Sequence, residues 1–343
     1  MELDGVLESW AREVPGRVVI TGTGGYLGGW LAGVLRGAGV EVLGVERGPD
    51  PSSLHPTLPG DLTTPGLLDG VLAPGTVVFH LASPSSVARS VDDPRTEIRD
   101  NLLASLEVLE SVRRSGARLV FASSICVADP DSPLPHREGA LLAPRSPYGA
   151  CKAAVETMSR TYHACYGTDA RVARMSTIFG PGLRRFAIHD FYQKVRANPA
   201  QMEILGDGDQ LRDYLYVTDA LKGLLLIALR GCPGECYHLG SGSTIRTIEL
   251  ARLVARMLGC PDISIRPAGR SFPGDIARWA LDVSKIGQLG FHPSVDLESG
   301  LAQVLRSYAC EEPAPDPECA EPTGAPASRA VAAFARPQQG RVS

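Results

Sequence analysis

Residues 17–21 (Arg-Val-Val-Ile-Thr) run straight into Gly22-Thr-Gly-Gly25-Tyr-Leu-Gly28-Gly29, and few folds accommodate that order. The apolar run reads as a buried strand. The glycines at 22, 25 and 28 permit a turn tight enough for backbone N–H groups to meet a pyrophosphate at the start of the next helix. Leu27, Trp30, Leu31, Val34 and Leu35 give that helix its apolar face. The following strand, Val40-Glu-Val-Leu-Gly-Val45, ends in Glu46, about the spacing at which a carboxylate accepts from a ribose hydroxyl. An acid there favours NAD over NADP, whose 2′-phosphate it would repel, whereas Arg47 beside it argues the other way. A glycine-rich turn packed for its own sake, with an exposed glutamate, is the competing reading, and the order of elements stands against it.

Strand-like runs at 17–21, 41–46, 76–82, 117–124 and 170–177 alternate with helical stretches at 25–37, from Arg95 to about Gly116, and at 147–166. That alternation predicts an α/β fold, a Rossmann-type doubly wound parallel sheet with helices on both faces. Ligands of such sheets gather beyond the carboxyl ends of the strands, where His80, Ser123 and Ser124 fall. Past residue 178 the pattern turns to loops and short helices, with a strand-like return at Glu235-Cys-Tyr-His-Leu239. We therefore expect an N-terminal extension over 1–15, with a short amphipathic helix, and an NAD-binding core over 16–178. Residues 179–310 read mostly as a smaller substrate-binding lobe interleaved with the core. The Pro- and Ala-rich stretch 311–343 reads as a disordered tail.

Tyr148-Gly-Ala-Cys-Lys152 carries the chemistry, because residues four apart share a helix face. A phenol ionises near pH ~10, and an ammonium held beside it favours the phenolate. The pair can therefore act as an acid/base.

In this order the motifs resemble the extended short-chain dehydrogenase/reductase family, the NAD-dependent epimerases and dehydratases of nucleotide sugars. The matching residues are Thr21 to Gly28, Asp61-Leu62, His80-Leu81-Ala82, Ser123-Ser124, Tyr148 with Lys152, Phe179-Gly180-Pro181, and Arg212-Asp213-Tyr214. The resemblance covers roughly residues 16 to 308. It implies that Gly22, Gly25, Tyr26, Leu27 and Gly28 line the cofactor with Glu46, Leu81 and Ala82, and that Asp61 and Leu62 meet the adenine. For Asp61, capping its own turn is the alternative. It further implies that Ser124 hydrogen-bonds the reacting sugar oxygen, that Tyr148 exchanges the hydroxyl proton, and that Lys152 lowers the tyrosine pKa and holds the nicotinamide ribose. Ser83, Ser124 and Thr177, together with Arg212 and Arg278 at the diphosphate, would contact substrate, with a surface ion pair as the other reading of Arg278. Relatives pair through the helices equivalent to 95–115 and 147–166, so a homodimer is implied.

The departures narrow the reaction. Sugar 4,6-dehydratases of this family place an acid pair just after the catalytic hydroxyl, because elimination of water needs an acid and a base beyond tyrosine. This chain has Ile125 and Cys126 there. Simple 4-epimerases carry neutral residues at these places, whereas 3,5-epimerases use a cysteine at the position of Cys126 as an acid/base on ring carbons. The partner lysine of the latter is missing, and Arg184, Arg185 and His189 occupy its neighbourhood. The family's Val-Tyr-Gly is Val127-Ala128-Asp129 here, and Thr177 stands where an amide usually meets the diphosphate. The sequence thus points to an NAD-dependent nucleotide-sugar epimerase of 4- or 3,5-type working through a ketosugar. The alternatives are a dehydratase recruiting Cys126 or His189 and a non-catalytic protein that senses NAD and a ligand.

A formal net charge of −4 gives no electrostatic footprint for nucleic acid. Apolar runs such as Leu221 to Leu229 are too short for a bilayer, and the first residues lack the basic-then-apolar order of a signal peptide, so we expect a cytoplasmic protein with a small-molecule partner and no membrane. The cysteines at 126, 151, 165, 232, 236, 260, 310 and 319 form no Cys-x-x-Cys set, and neither a disulfide framework nor a metal site is expected.

Overall fold

A computed structural model of the protein describes residues 5–48 and 55–311. The expected tail lies outside the described residues apart from Glu311, which closes the helix Leu297–Glu311. The five expected strands are all present, trimmed or shifted by a few residues: β1 (Val18–Thr21), β2 (Val42–Glu46), then, after a short β3 (Thr57–Pro59), β4 (Val77–His80), β5 (Arg118–Ser124) and β6 (Asp169–Met175). With the returning strand Cys236–Leu239 they form a seven-stranded sheet in the order Cys236–Leu239, β6, β5, β4, β1, β2, β3. Every neighbouring pair is parallel.

Parallel strands covered on both faces should be apolar throughout rather than alternating. Val18, Val19 and Ile20, like Val77, Val78 and Phe79, are fully or almost fully buried. On one face Leu31 and Leu35 of the helix Tyr26–Gly37 meet Leu221 and Leu225 of the helix Val217–Arg230. The expected N-terminal helix, Gly5–Glu13, adds Leu7 and Ala11 to this layer. On the other face Leu109 and Val112 of the helix Ala104–Ser115 pack with Val155 of the helix Pro147–Tyr166. The chain leaves β1 toward β2 and β3, then crosses back to β4 on the other side, which opens a crevice at the carboxyl ends of β1 and β4.

One expectation needs correcting. The helix anticipated from Arg95 to Gly116 is interrupted: Pro94–Glu97 is followed by a π-helical turn, Ile98–Leu103, before Ala104–Ser115. Gly116, at φ +70°, supplies the left-handed residue that stops it. Beyond β6, Thr177–Phe179 pairs with Tyr214–Tyr216, and Gln201–Ile204 pairs with Ser264–Pro267. A second apolar cluster gathers there, from Phe191 and Val195 of the helix Phe186–Ala197, Leu250 and Val254 of Thr247–Met257, and Leu301 and Val304. It forms the outer wall of the crevice. Among the described residues no helix is long and apolar enough to cross a membrane.

Candidate active site

The crevice holds a cavity of about 690 Å³ that runs from the glycine turn, past the end of β5, to the second cluster. At its inner end the turn after β1 is built on two glycines. Gly22 sits at φ +81°, and a Cβ on it would fall 2.7 Å from the Ala82 nitrogen. A Cβ on Gly28 would fall 2.0 Å from the carbonyl oxygen of Gly22. The turn and the first turn of the helix thus touch backbone to backbone, leaving Gly22, Gly25, Tyr26, Leu27 and Gly28 along the cavity with Leu81 opposite.

Side chains beneath the turn fix its position. The Ser105 hydroxyl gives its proton to the Asn101 carbonyl and so accepts from His80 Nε2–H at 2.9 Å. That leaves His80 Nδ1 to accept from the Thr21 hydroxyl at 2.7 Å, while Thr21 Oγ1 accepts from the Ala82 N–H at 3.2 Å. Burial pushes the imidazole pKa down to about 3, so His80 is a neutral brace. Glu46 accepts from the Gly24 N–H at 2.5 Å and the Thr23 hydroxyl at 3.3 Å, which places its carboxylate on the turn, where a ribose would lie. Arg47 is drawn off by Asp100 at 2.6 Å, leaving Glu46 to set the charge there. This cradle fits NAD and disfavours a 2′-phosphate.

Asp61 and Leu62 do not line the cavity. Asp61 Oδ1 accepts from both the N–H and the hydroxyl of Thr63, at 2.9 and 2.8 Å, so the turn-capping role is the one seen. Leu62 packs with the apolar cluster around Leu43 and Val45.

The chemical groups meet at the end of β5. Ser124 Oγ accepts from the Cys126 N–H at 3.2 Å, turning the chain sharply. Across from it the helix Pro147–Tyr166 begins with Ser146 capping the Gly149 N–H and Pro147 in the first turn, so Tyr148 enters the cavity from a fixed backbone. The Tyr148 N–H donates to Ser90 Oγ at 3.1 Å. Ser124, Cys126, Tyr148 and Lys152 all line the cavity.

Their electrostatics differ from expectation in one respect. Burial raises the Tyr148 pKa, with Cys126 adding to it, whereas a hydrogen bond with Ser124 and the charge of Arg185 act the other way. Lys152 Nζ stays 5.9 Å from the centre of the Tyr148 ring, but its hydrogen bond goes to the Ala122 carbonyl at 2.9 Å, and the Phe121 ring is nearer, at 4.7 Å. Spacing put the two on one face, but a carbonyl at the strand end captured the flexible ammonium. Burial pushes the Lys152 pKa down to about 8, with Glu97 opposing the shift. Burial likewise raises the thiol pKa of Cys126, against the pull of Ser124 and Arg212.

At the outer end Ser83, Thr177 and Arg212 line the cavity. Arg212 lies 4.2 Å over the Trp279 ring and donates to Asp275 at 2.7 Å and to the Ala277 carbonyl at 3.0 Å. Arg278 is exposed and outside the lining, the placement its surface reading asks for. Successive side chains alternate across an extended strand, and here Trp279 takes the inner side. Of the three candidates near the Gly-Pro turn, Arg185 lines the cavity, whereas Arg184 does not and His189 is packed on the Tyr308 ring. Phe186, at φ +67°, lines it too. Sequence reasoning missed Trp279 and Phe186, which carry no motif.

A sequence model of the NAD-dependent epimerase/dehydratase family matches residues 18–240. The chain belongs to that family. It is 32% identical over 255 residues to a dTDP-glucose 4,6-dehydratase of Actinoplanes, covering 73% of this chain and 78% of the relative. It is 30% identical over 239 residues to a UDP-glucuronate 4-epimerase of Thermodesulfobacterium geofontis, covering 67% and 71%. Among solved structures, the dTDP-glucose 4,6-dehydratase DesIV of Streptomyces venezuelae, with NAD and TYD bound, superposes at a TM-score of 0.77 with 27% identity, over 86% of this chain and 97% of that one. The relatives therefore span more than one reaction, dehydration and epimerisation among them. In a family defined by NAD, Gly28→Ala should force the loop apart and cost NAD affinity about 100-fold, or ~2.7 kcal/mol, by calorimetric titration.

Proposed function

We propose that the protein is an NAD-dependent nucleotide-sugar epimerase that works through a transient ketosugar. The observation that carries this is the state of the acids around the cavity. Ile125 is buried with Ala128 and Leu281, and Cys126 holds a neutral thiol, so no carboxylate follows Ser124. The carboxylates that do line the cavity are engaged: Asp275 by Arg212 and Ser271, Asp190 by Lys194 at 2.7 Å. Elimination of water lacks the further acid and base it needs, whereas hydride removal and return needs none beyond Tyr148.

Bound NAD supplies a hydride acceptor that can give the hydride back. Gly22 to Gly28 would hold its pyrophosphate and Glu46 its ribose. Ser124 orients the reacting sugar oxygen, and Tyr148 takes the hydroxyl proton as the carbonyl forms and returns it when the hydride comes back. Thr177 and Arg212 hold the diphosphate, with Arg212 stiffened by Trp279 and Asp275. A protonated Cys126 is a poor base for ring-carbon exchange, which favours inversion at one carbon by a 4-epimerase route.

The test is incubation with NAD in deuterium oxide and a panel of UDP-, dTDP- and GDP-sugars, read by NMR and mass spectrometry. Epimerisation without deuterium uptake is expected. Uptake at C3 or C5 would make Cys126 catalytic, and a product lighter by one water would establish a dehydratase. A non-catalytic sensor would bind NAD without any change at the nicotinamide. A homodimer through the helices 94–115 and 147–166 is also proposed, since Ile98 and Leu103 stand exposed on the former at 45% and 46%. Light scattering at a monomer mass would overturn it.

A further inference from the structure

The loop 271–275 joins the outer wall of the crevice to the helix that carries Tyr148. One end of it holds Arg212, whose Nη2 donates to Asp275 Oδ1 at 2.7 Å, and the Ser271 hydroxyl donates to Asp275 Oδ2 at 2.6 Å, closing the loop on itself. Arg212 and Asp275 are each 12% exposed at the side chain, so solvent ions screen the link little. On either side the chain is tied to the wall. The Arg270 carbonyl accepts from the Gly206 N–H at 2.8 Å, and the Ala277 carbonyl from the Leu211 N–H at 2.9 Å.

The other contact is made by Gly274. Its φ of +84° lies in the left-handed region, and its neighbours leave little room for a side chain. A Cβ there would fall 3.0 Å from the Ser146 Cβ, 3.2 Å from the Arg145 carbonyl oxygen and 3.3 Å from Val87 Cγ1. Ser146 caps the Tyr148 helix at the Gly149 N–H. Val87 opens the helix Val87–Asp92, whose Ser90 accepts from the Tyr148 N–H at 3.1 Å and donates to the Val87 carbonyl at 2.6 Å. Gly274 therefore rests against both supports of the Tyr148 backbone, while the next residue, Asp275, holds Arg212.

We propose that this loop is a latch: a nucleoside diphosphate bound at Arg212 seats Gly274 against Ser146 and Val87, and so fixes Tyr148 for proton transfer. Gly274 and Asp275 are positioning residues. The latch rests on Arg212 holding the diphosphate, as proposed above, and not on which reaction follows.

Gly274→Ala puts a methyl group into the contact, and Gly269→Ala is its control. Gly269 lies outside the latch at φ +70°, with nothing within 4 Å of an added Cβ, so its variant carries similar backbone strain and no collision. The first readout needs no turnover. The chain has nine tyrosines, and 15N-tyrosine labelling with Tyr148→Phe assigns the Tyr148 amide signal. Saturating UDP or dTDP should shift that signal in the native protein and in Gly269→Ala, and leave it in place in Gly274→Ala. The second readout is steady-state kinetics. Gly274→Ala should lower kcat about tenfold with KM nearly unchanged, the effect of a misplacement well under 1 Å, and Gly269→Ala should stay near native. If Gly274→Ala does not fold, Asp275→Ala cuts the latch at its other end and should silence the same amide response. A Tyr148 response retained in Gly274→Ala, or equal losses of kcat in the two glycine variants, overturns the latch. The expected responses in a protein whose product is lighter by one water support the latch and overturn the epimerase reading. A native protein that binds no nucleoside diphosphate overturns both.

Discussion

Tyr148→Phe should lower turnover by a factor of about 10²–10⁴, the range of a lost general acid/base, while NAD binding survives. The structure separates the two effects. Lys152 is held by the Ala122 carbonyl and the Phe121 ring, so deleting the phenol oxygen frees nothing that touches the cofactor. The Tyr148 ring keeps its place, because its backbone is fixed by the Ser146 cap and by Ser90. What disappears is the oxygen that shares a proton with Ser124 and the substrate. Steady-state kcat with saturating nucleotide sugar, set beside calorimetric NAD titration, checks both halves. Turnover within tenfold of native would mean that a different group takes the proton, and the Cys126 thiol in the same cavity would be the next candidate.

Much of this was legible in the sequence for identifiable reasons. Strands buried on both faces are continuous apolar runs, so β1, β4 and β5 could be located closely. The glycine spacing told which backbone atoms must touch. β3 could not be seen, because Thr57–Pro59 is too short to hold a pattern and exists through its pairing with β2. The π-helical turn at Ile98–Leu103 left no periodic trace either. At the site, spacing showed that Tyr148 and Lys152 share a helix face, but not that a carbonyl from the adjacent strand would hold the ammonium. For Arg278 the neighbourhood was legible but not the side: Trp279, one residue on, is the one that lines the cavity. Asp61 belongs to a motif in relatives, yet the contact visible here is with Thr63, two residues on.

Glu156→Gln should cost about 3–5 kcal/mol, the toll of leaving a buried guanidinium without its counter-ion. Arg174 and Glu156 are each 1% exposed at the side chain and meet through two hydrogen bonds, Nε to Oε1 at 3.0 Å and Nη2 to Oε2 at 2.6 Å. Arginine cannot shed its proton to escape the loss. The neighbouring His238, whose pKa burial pushes down to about 3, is a neutral acceptor that offers no replacement charge. A melting temperature lower by about 10 °C in calorimetry is expected, given a few degrees per kcal/mol for a domain of this size. The pair also reaches the active site through Ser123. Ser123, next to Ser124, donates to Glu156 Oε1 at 2.5 Å, and Glu156 lies one helical turn beyond Lys152. The ion pair thereby ties the Tyr148 helix to β5 and β6, the strands that place Ser124. An apolar exchange of both partners, Glu156→Leu with Arg174→Met, should recover most of the stability, since buried pairs gain little over well-packed hydrocarbon. Turnover should be depressed in that double variant, because the link from the helix through Ser123 to Ser124 is still cut. Recovery of both together would mean that the pair serves the fold alone.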